Sequence, residues 1–198
     1  VLENYWERDK PIYATGQIEL QNHGNTLYFR NIFIKELVPA DNVQKIHDAA
    51  PKKARVEPKK PRKVLAYTNA AGFVHSSIPY GAHTVEFIGK QTGAYETTIS
   101  NDPAEFLPEN LEKYDAVVLV NTTGDWFLPH KSELQKLDEK TVGELKVRAE
   151  RLRKSLLNYV NGGGGLVGFH SASDSHYAWP EFGEMIGGYF NRHPWHQK

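Results

Sequence analysis

Residues 63–198 are predicted to form an α/β fold, a parallel sheet with helices on both faces. Two observations carry this. Apolar runs of strand length, Val64–Tyr67, Asp115–Asn121 and Leu166–Phe169, alternate with stretches of helical periodicity. The middle of Asp115–Asn121 is also continuously apolar, as in a strand covered on both faces. Repetition of strand, crossover helix and strand then implies parallel strands.

Taken in order, residues 12–37 hold two alternating runs, Gly16–Gln21 and Leu27–Leu37. Between them Asn22-His23-Gly24-Asn25 supplies residues that accept positive φ, so a β-hairpin is expected. Two strands alone are marginal in water, so this hairpin reads as the tail of a truncated β domain over 1–38. The chain starts at Val1 and its only Met is Met185, which reads as a fragment of a longer protein. Residues 51–63 carry seven Lys or Arg against one Glu, with Pro51, Pro58 and Pro61, a tether composition. The expected linker is 39–62.

Val64–Tyr67 is the first strand, and Ser77–Gly89 the first crossover helix, with Pro79 in its first turn. Tyr95–Ile99 is a second strand, Leu107–Tyr114 a short helix and Asp115–Asn121 a third strand. Over Thr141–Val160 the apolar residues Val142, Leu145, Ala149, Leu152, Leu156 and Val160 recur at spacings of three and four, so one helix face is apolar. Glycines 162–165 stop that helix before the strand Leu166–Phe169. They precede a strand, whereas a phosphate-cradling loop follows one.

Composition narrows the partners. With 198 residues and 22.5 kDa there is room for one domain, or one plus part of another. Lys plus Arg and Asp plus Glu both number 24, which argues against a nucleic-acid partner. Mean hydropathy is −0.58 and no apolar run approaches bilayer-spanning length, so no membrane partner is expected. Zero Cys removes thiolate chemistry and fits a reducing or an oxidising compartment, a periplasmic or secreted parent protein included.

In open parallel sheets ligands bind beyond the carboxyl ends of the strands. Three loops meet that description: Asn69–Ser77, Asn121–Asp125 and His170–His176. His75, His170 and Asp174 are the candidate acids, bases or ligands of a divalent metal such as Zn²⁺, with His193 a further ligand candidate. Ser171 beside His170 has the residue type of a nucleophile, although Gly168-Phe169-His170-Ser171-Ala172 departs from the G-x-S-x-G elbow. For substrate binding, Asn69, Asn121, Thr122 and His193 offer polar groups, and Trp126 and Trp179 offer faces on which a sugar ring could stack. Taken singly, His176, His193 and His196 read as loop residues that shape the pocket.

Five blocks, Phe73–Ile78, Tyr114–Val118, Asn121–Gly124, Gly163–Asp174 and Trp179–Phe190 with His193-Pro194, closely resemble the ThuA-like (trehalose utilisation) family over residues 63–198. The resemblance implies a flavodoxin-like sheet related to class I glutamine amidotransferases, and a domain that continues past Lys198. At the amidotransferase cysteine position stands His170, so thiolate amidotransfer is excluded. Residues 12–37 resemble the last strands of a 3-keto-disaccharide hydrolase domain, a concanavalin-like β-sandwich. Together these resemblances imply hydrolysis or a related conversion of 3-keto-glycosides in bacterial sugar catabolism. A non-catalytic carbohydrate-binding module serving an upstream domain of the same parent chain is the alternative.

Overall fold

The computed structural model describes residues 37–193 together with Gly24, Thr26 and Tyr28. The chain divides into two units, Val1–Lys35 and Glu36–Lys198, and every element below belongs to the second. The hairpin expected over 12–37 lies outside the described residues.

Four strands, β1 (Lys63–Tyr67), β2 (Glu96–Ser100), β3 (Ala116–Val120) and β4 (Gly165–Phe169), form one parallel sheet in the order β2-β1-β3-β4. The register sets Val64 opposite Thr97 and Ala116, and Val118 opposite Val167. This is the flavodoxin-like α/β arrangement.

Side-chain alternation divides the core between the two faces. Leu65, Tyr67, Val117 and Leu119 pack with Leu152 and Leu156 of the long helix α5 (Glu139–Asn161), joined by Phe106 and by Leu111 of α3 (Pro108–Leu111). Val64, Ala66, Val118 and Val120 pack with Val85 of α2 (Ile78–Thr92). Of the stripe predicted for α5, Ala149, Leu152 and Leu156 are buried and Val160 packs against them, while Val142 and Leu145 in the first turns are only half-buried. Asp138 caps this helix by accepting from the Thr141 N–H at 2.9 Å, and Gly163 turns the chain out at φ +97°.

Several boundaries differ from the sequence reading for identifiable reasons. α2 runs past Gly89 because that glycine is a packing contact: a Cβ there would lie 2.6 Å from the Tyr95 carbonyl oxygen. The helix stops at Gly93, which sits at φ +66°. The helix expected over 107–114 is only the single turn α3, preceded by a 3₁₀ turn at Pro103–Phe106. Leu107 between them is held extended (φ −63°, ψ 143°), as the residue before Pro108 must be.

The stretch expected as linker from residue 39 begins with a helix, α1 (Ala40–Ala49), none of whose residues is buried. His47 holds it on α2: its ring stacks on Phe87 at 3.6 Å and its Nε2 meets His83 Nε2 at 3.1 Å. The basic segment after α1 is tied down at its far end. There Arg62 donates to Asp115 at 2.6 Å and Lys60 pairs with the same carboxylate at 3.2 Å. The Lys63 N–H, Arg62 and Lys60 hold that carboxyl at about 2.

β4 is the outermost of the described strands on its side of the sheet. Val167 and Phe169 on it are 45% and 42% exposed. Short helices α4 (Lys131–Leu134) and α6 (Pro180–Ile186) and a 3₁₀ turn at His170–Ser173 complete the chain. No helix among the described residues is long and apolar enough to cross a membrane.

Candidate functional site

Because the strands are parallel, their carboxyl ends share one edge, and the three predicted loops meet there. Backbone bonds sew them together. Ala71 and Gly72 N–H donate to the Thr123 carbonyl at 2.9 and 3.1 Å, and Gly124 N–H donates to the Asp174 carbonyl at 2.8 Å. His176 N–H returns to the Gly124 carbonyl at 3.2 Å, and Gly124 forms a parallel bridge with Ser175. The Thr123 hydroxyl donates to the Phe73 carbonyl at 2.7 Å, fixing the loop that carries His75.

This assembly brings His75 and His170 together, with ring centroids 4.7 Å apart and planes at 74°. His170 stands immediately after β4 in the left-handed region, φ +47°, a conformation uncommon for a side chain larger than glycine. Desolvation and the neighbouring His170 pull His75 below the usual imidazole range, while Asp174 pulls the other way. His75 is thus poised as a neutral ring. Asp174 Oδ1 accepts from the Tyr177 hydroxyl at 2.6 Å, and the Phe190 carbonyl lies 2.9 Å from the same hydroxyl oxygen. Desolvation, reinforced by Asp174, pushes the Tyr177 phenol up to about 12, so it remains a donor.

The other predicted residues are distributed differently. Ser171 is buried and its hydroxyl has no hydrogen-bond partner among the described residues, so neither imidazole engages it as a nucleophile. Asn69 Nδ2 is occupied internally, donating to the Tyr67 hydroxyl and the Trp126 carbonyl, each at 3.2 Å. Asn121, at φ +51°, donates to Ser77 Oγ at 2.7 Å, and Thr122 is fully buried beside Ser175. These three groups build the loops rather than present donors to solvent. Trp126 and Trp179 are likewise core residues, packed with Phe127 and Phe182, and offer no open face for a sugar. Among the rings of these loops, Phe73 is 69% exposed with its centroid 4.8 Å from that of His75, and Tyr177, bonded to Asp174, is 53% exposed. His193 is exposed on the same rim, its ring 4.9 Å from that of Phe190. Among the described residues no three His, Asp or Glu side chains gather closely enough to hold a metal ion, so His75, His170 and Asp174 are neighbours without being a formed ligand set.

One cluster escaped the sequence reading. His176 is buried, its ring inside a box of Trp126, Phe127, Trp179 and Phe182 with centroids 4.3 to 5.4 Å away. Its Nδ1 lies 3.1 Å from Asp125 Oδ1, within ion-pair distance though off the line of a hydrogen bond. Asp125 also pairs with Arg153 of α5, which reaches Glu150 as well. Burial pushes Asp125 up, but His176 and Arg153 outweigh it and hold the carboxyl below its usual range. Burial likewise pulls His176 down, so the buried imidazole is neutral beside an ion pair. The available signal was Arg153, a charge set beside the apolar stripe at 149, 152 and 156 of α5.

Fold and site together define a flavodoxin-like domain whose strand-end loops present two imidazoles, a carboxylate and open aromatic rings. A family model, ThuA, trehalose utilisation, matches residues 63–198, and the chain belongs to that family. Membership gives it a carbohydrate-related role. No curated protein and no solved structure matches it.

Proposed function

We propose that the rim formed by His75, His170, Asp174 and Tyr177 is a carbohydrate site that converts 3-keto-glycosides, with residues 1–38 belonging to a 3-keto-disaccharide hydrolase-like domain. The observation that carries this reading is the edge-to-face meeting of His75 and His170 on two different strand-end loops. Exposed Phe73 and Tyr177 give a sugar two apolar faces, and Asp174 accepts from its hydroxyls.

The chemistry suits imidazoles. A C–H beside a ketone is acidic enough for a neutral imidazole to remove, and His75 is the ring held neutral. The electron pair of that C–H bond forms a double bond as the glycosidic C–O bond breaks. The facing His170 supplies a proton to the departing oxygen, and water adds across the double bond to complete hydrolysis. Tyr177 keeps Asp174 oriented throughout.

Incubating the protein with a 3-keto-disaccharide and with its unoxidised parent, while following monosaccharide release and binding by calorimetry, tests the proposal. Expected are turnover of the keto sugar alone, and binding with turnover reduced at least about 100-fold in His75→Ala and His170→Ala. Unchanged turnover in both variants overturns the catalytic reading. Sugar binding without turnover in the unmodified chain selects the binding module instead, a reading favoured by the two open aromatic rings.

A further inference from the structure

We propose that His176, through Asp125, is a positioning residue of the strand-end site: the pair fixes the 174–177 turn so that Asp174 and His170 stand beside His75. This inference rests on the site proposed above but not on the reaction assigned to it.

The argument begins with an energetic oddity. The space occupied by the His176 ring is walled by Trp126, Phe127, Trp179 and Phe182, and a Phe would fill it without burying polar atoms. Both ring nitrogens are buried and lack a well-directed hydrogen bond among the described residues. Leaving such groups unsatisfied is costly, and buried ionic networks are often no more stabilising than an apolar replacement. His176 also holds φ +51°, a further cost for a residue with a Cβ. Stability alone does not account for this residue.

Geometry supplies another account. Asp125 is anchored to Arg153 on α5, the longest described helix and the one that carries the core. His176 is anchored to Asp125 by its side chain and to Gly124 by its backbone N–H at 3.2 Å. Gly124 N–H in turn holds the Asp174 carbonyl at 2.8 Å. Asp174 and Tyr177, which flank His176, are the two residues joined by the 2.6 Å bond at the rim. The 174–177 turn is thereby referenced to α5 at its centre, while its outward Asp174 and Tyr177 side chains are joined to each other at the rim. Nδ1 is the ring nitrogen that faces the carboxylate, 3.1 Å from Asp125 Oδ1, so the pair is held by charge and proximity.

The test uses the 198-residue chain and a readout that needs no sugar: the titration midpoint of His75 followed by ¹H–¹⁵N imidazole NMR. In His176→Phe and Asp125→Ala the midpoint rises, because His170 moves away from His75 and its pull outweighs the opposing one of Asp174. His176→Asn, whose amide reaches Asp125 and which accepts positive φ, restores the original midpoint. Melting curves accompany each variant, so that if one fails to fold the other decides. A folded variant of either kind with an unchanged His75 midpoint overturns the proposal and leaves His176 a packing residue. In the second arm, affinity for a 3-keto-disaccharide falls about tenfold in His176→Phe and returns in His176→Asn. Absence of sugar binding by the unmodified chain refutes the proposed function, while the NMR arm still decides the positioning role.

Discussion

Gly72 and Gly124 pack backbone against backbone, which is how the loop after β1 and the loop after β3 come to share one rim. A Cβ on Gly124 would lie 2.7 Å from the Gly72 nitrogen, and Gly124 holds φ +70°. Gly124→Ala therefore meets both a clash and a strained backbone. Expected is a loss of about 2 kcal/mol or more, read as a fall in Tm of roughly 4–8 °C. An unchanged melt would show that the two loops separate without cost.

His75 has its imidazole pulled below the usual range by desolvation and by His170. The folded chain then binds fewer protons than the unfolded one, so this contribution to stability is present above the ordinary imidazole pKa of about 6.5 and is lost as pH falls below it. His170→Ala removes one of the two causes, and the His75 midpoint in an NMR titration should rise. A midpoint that stays put or falls contradicts the contact.

Leu152 lies at the centre of the buried face of α5, with no exposed surface. Leu152→Ala leaves a cavity among Leu65, Tyr67, Phe106 and their neighbours. A cost of about 2–5 kcal/mol is expected, measured by denaturant unfolding with an unchanged m-value. A loss below about 1 kcal/mol would place α5 elsewhere on the sheet.

Alkaline stability has its own carriers. Burial holds the Tyr159 phenol up at about 12, and its hydroxyl donates to the Tyr114 carbonyl at 3.1 Å. Tyr177 is raised to about 12 by desolvation and Asp174. Both groups favour the protonated form in the fold, so their contribution is complete below about pH 10 and is lost as pH rises toward 12. Phenolate absorbance should show these two tyrosines titrating late, and Tyr177→Phe should remove one late component without unfolding the chain.

The sheet and its long helix were legible because burial writes itself into spacing. The apolar run Ala116–Val120, continuous rather than alternating, marked β3, and the three-and-four spacing marked α5. α1 left no such mark, since none of its residues is buried and it is held on α2 by the His47 ring and by a hydrogen bond from Asn42 to the Tyr80 hydroxyl. At the site, the three loops and the His75, His170 and Asp174 grouping followed from the rule that parallel strands end on one edge. What the sequence did not distinguish was which aromatic rings face inward. Trp126 and Trp179 lie as close to the site in sequence as Phe73 and Tyr177, and only packing against Phe127 and Phe182 separates core from rim. The setting of His176 was hidden for the same reason: its partners Asp125 and Arg153 come from other parts of the chain.

Along β4, Val167 and Phe169 turn half-exposed apolar surface outward beside backbone groups that no described strand pairs. Such an edge is a template for another extended chain, and two copies of this one can serve each other. Self-association of concentrated samples should therefore start here, visible as a sedimentation coefficient that rises with protein concentration. A lysine at position 167 would set like charges face to face at the middle of that contact. Val167→Lys should hold the chain monomeric at concentrations where the parent sequence associates.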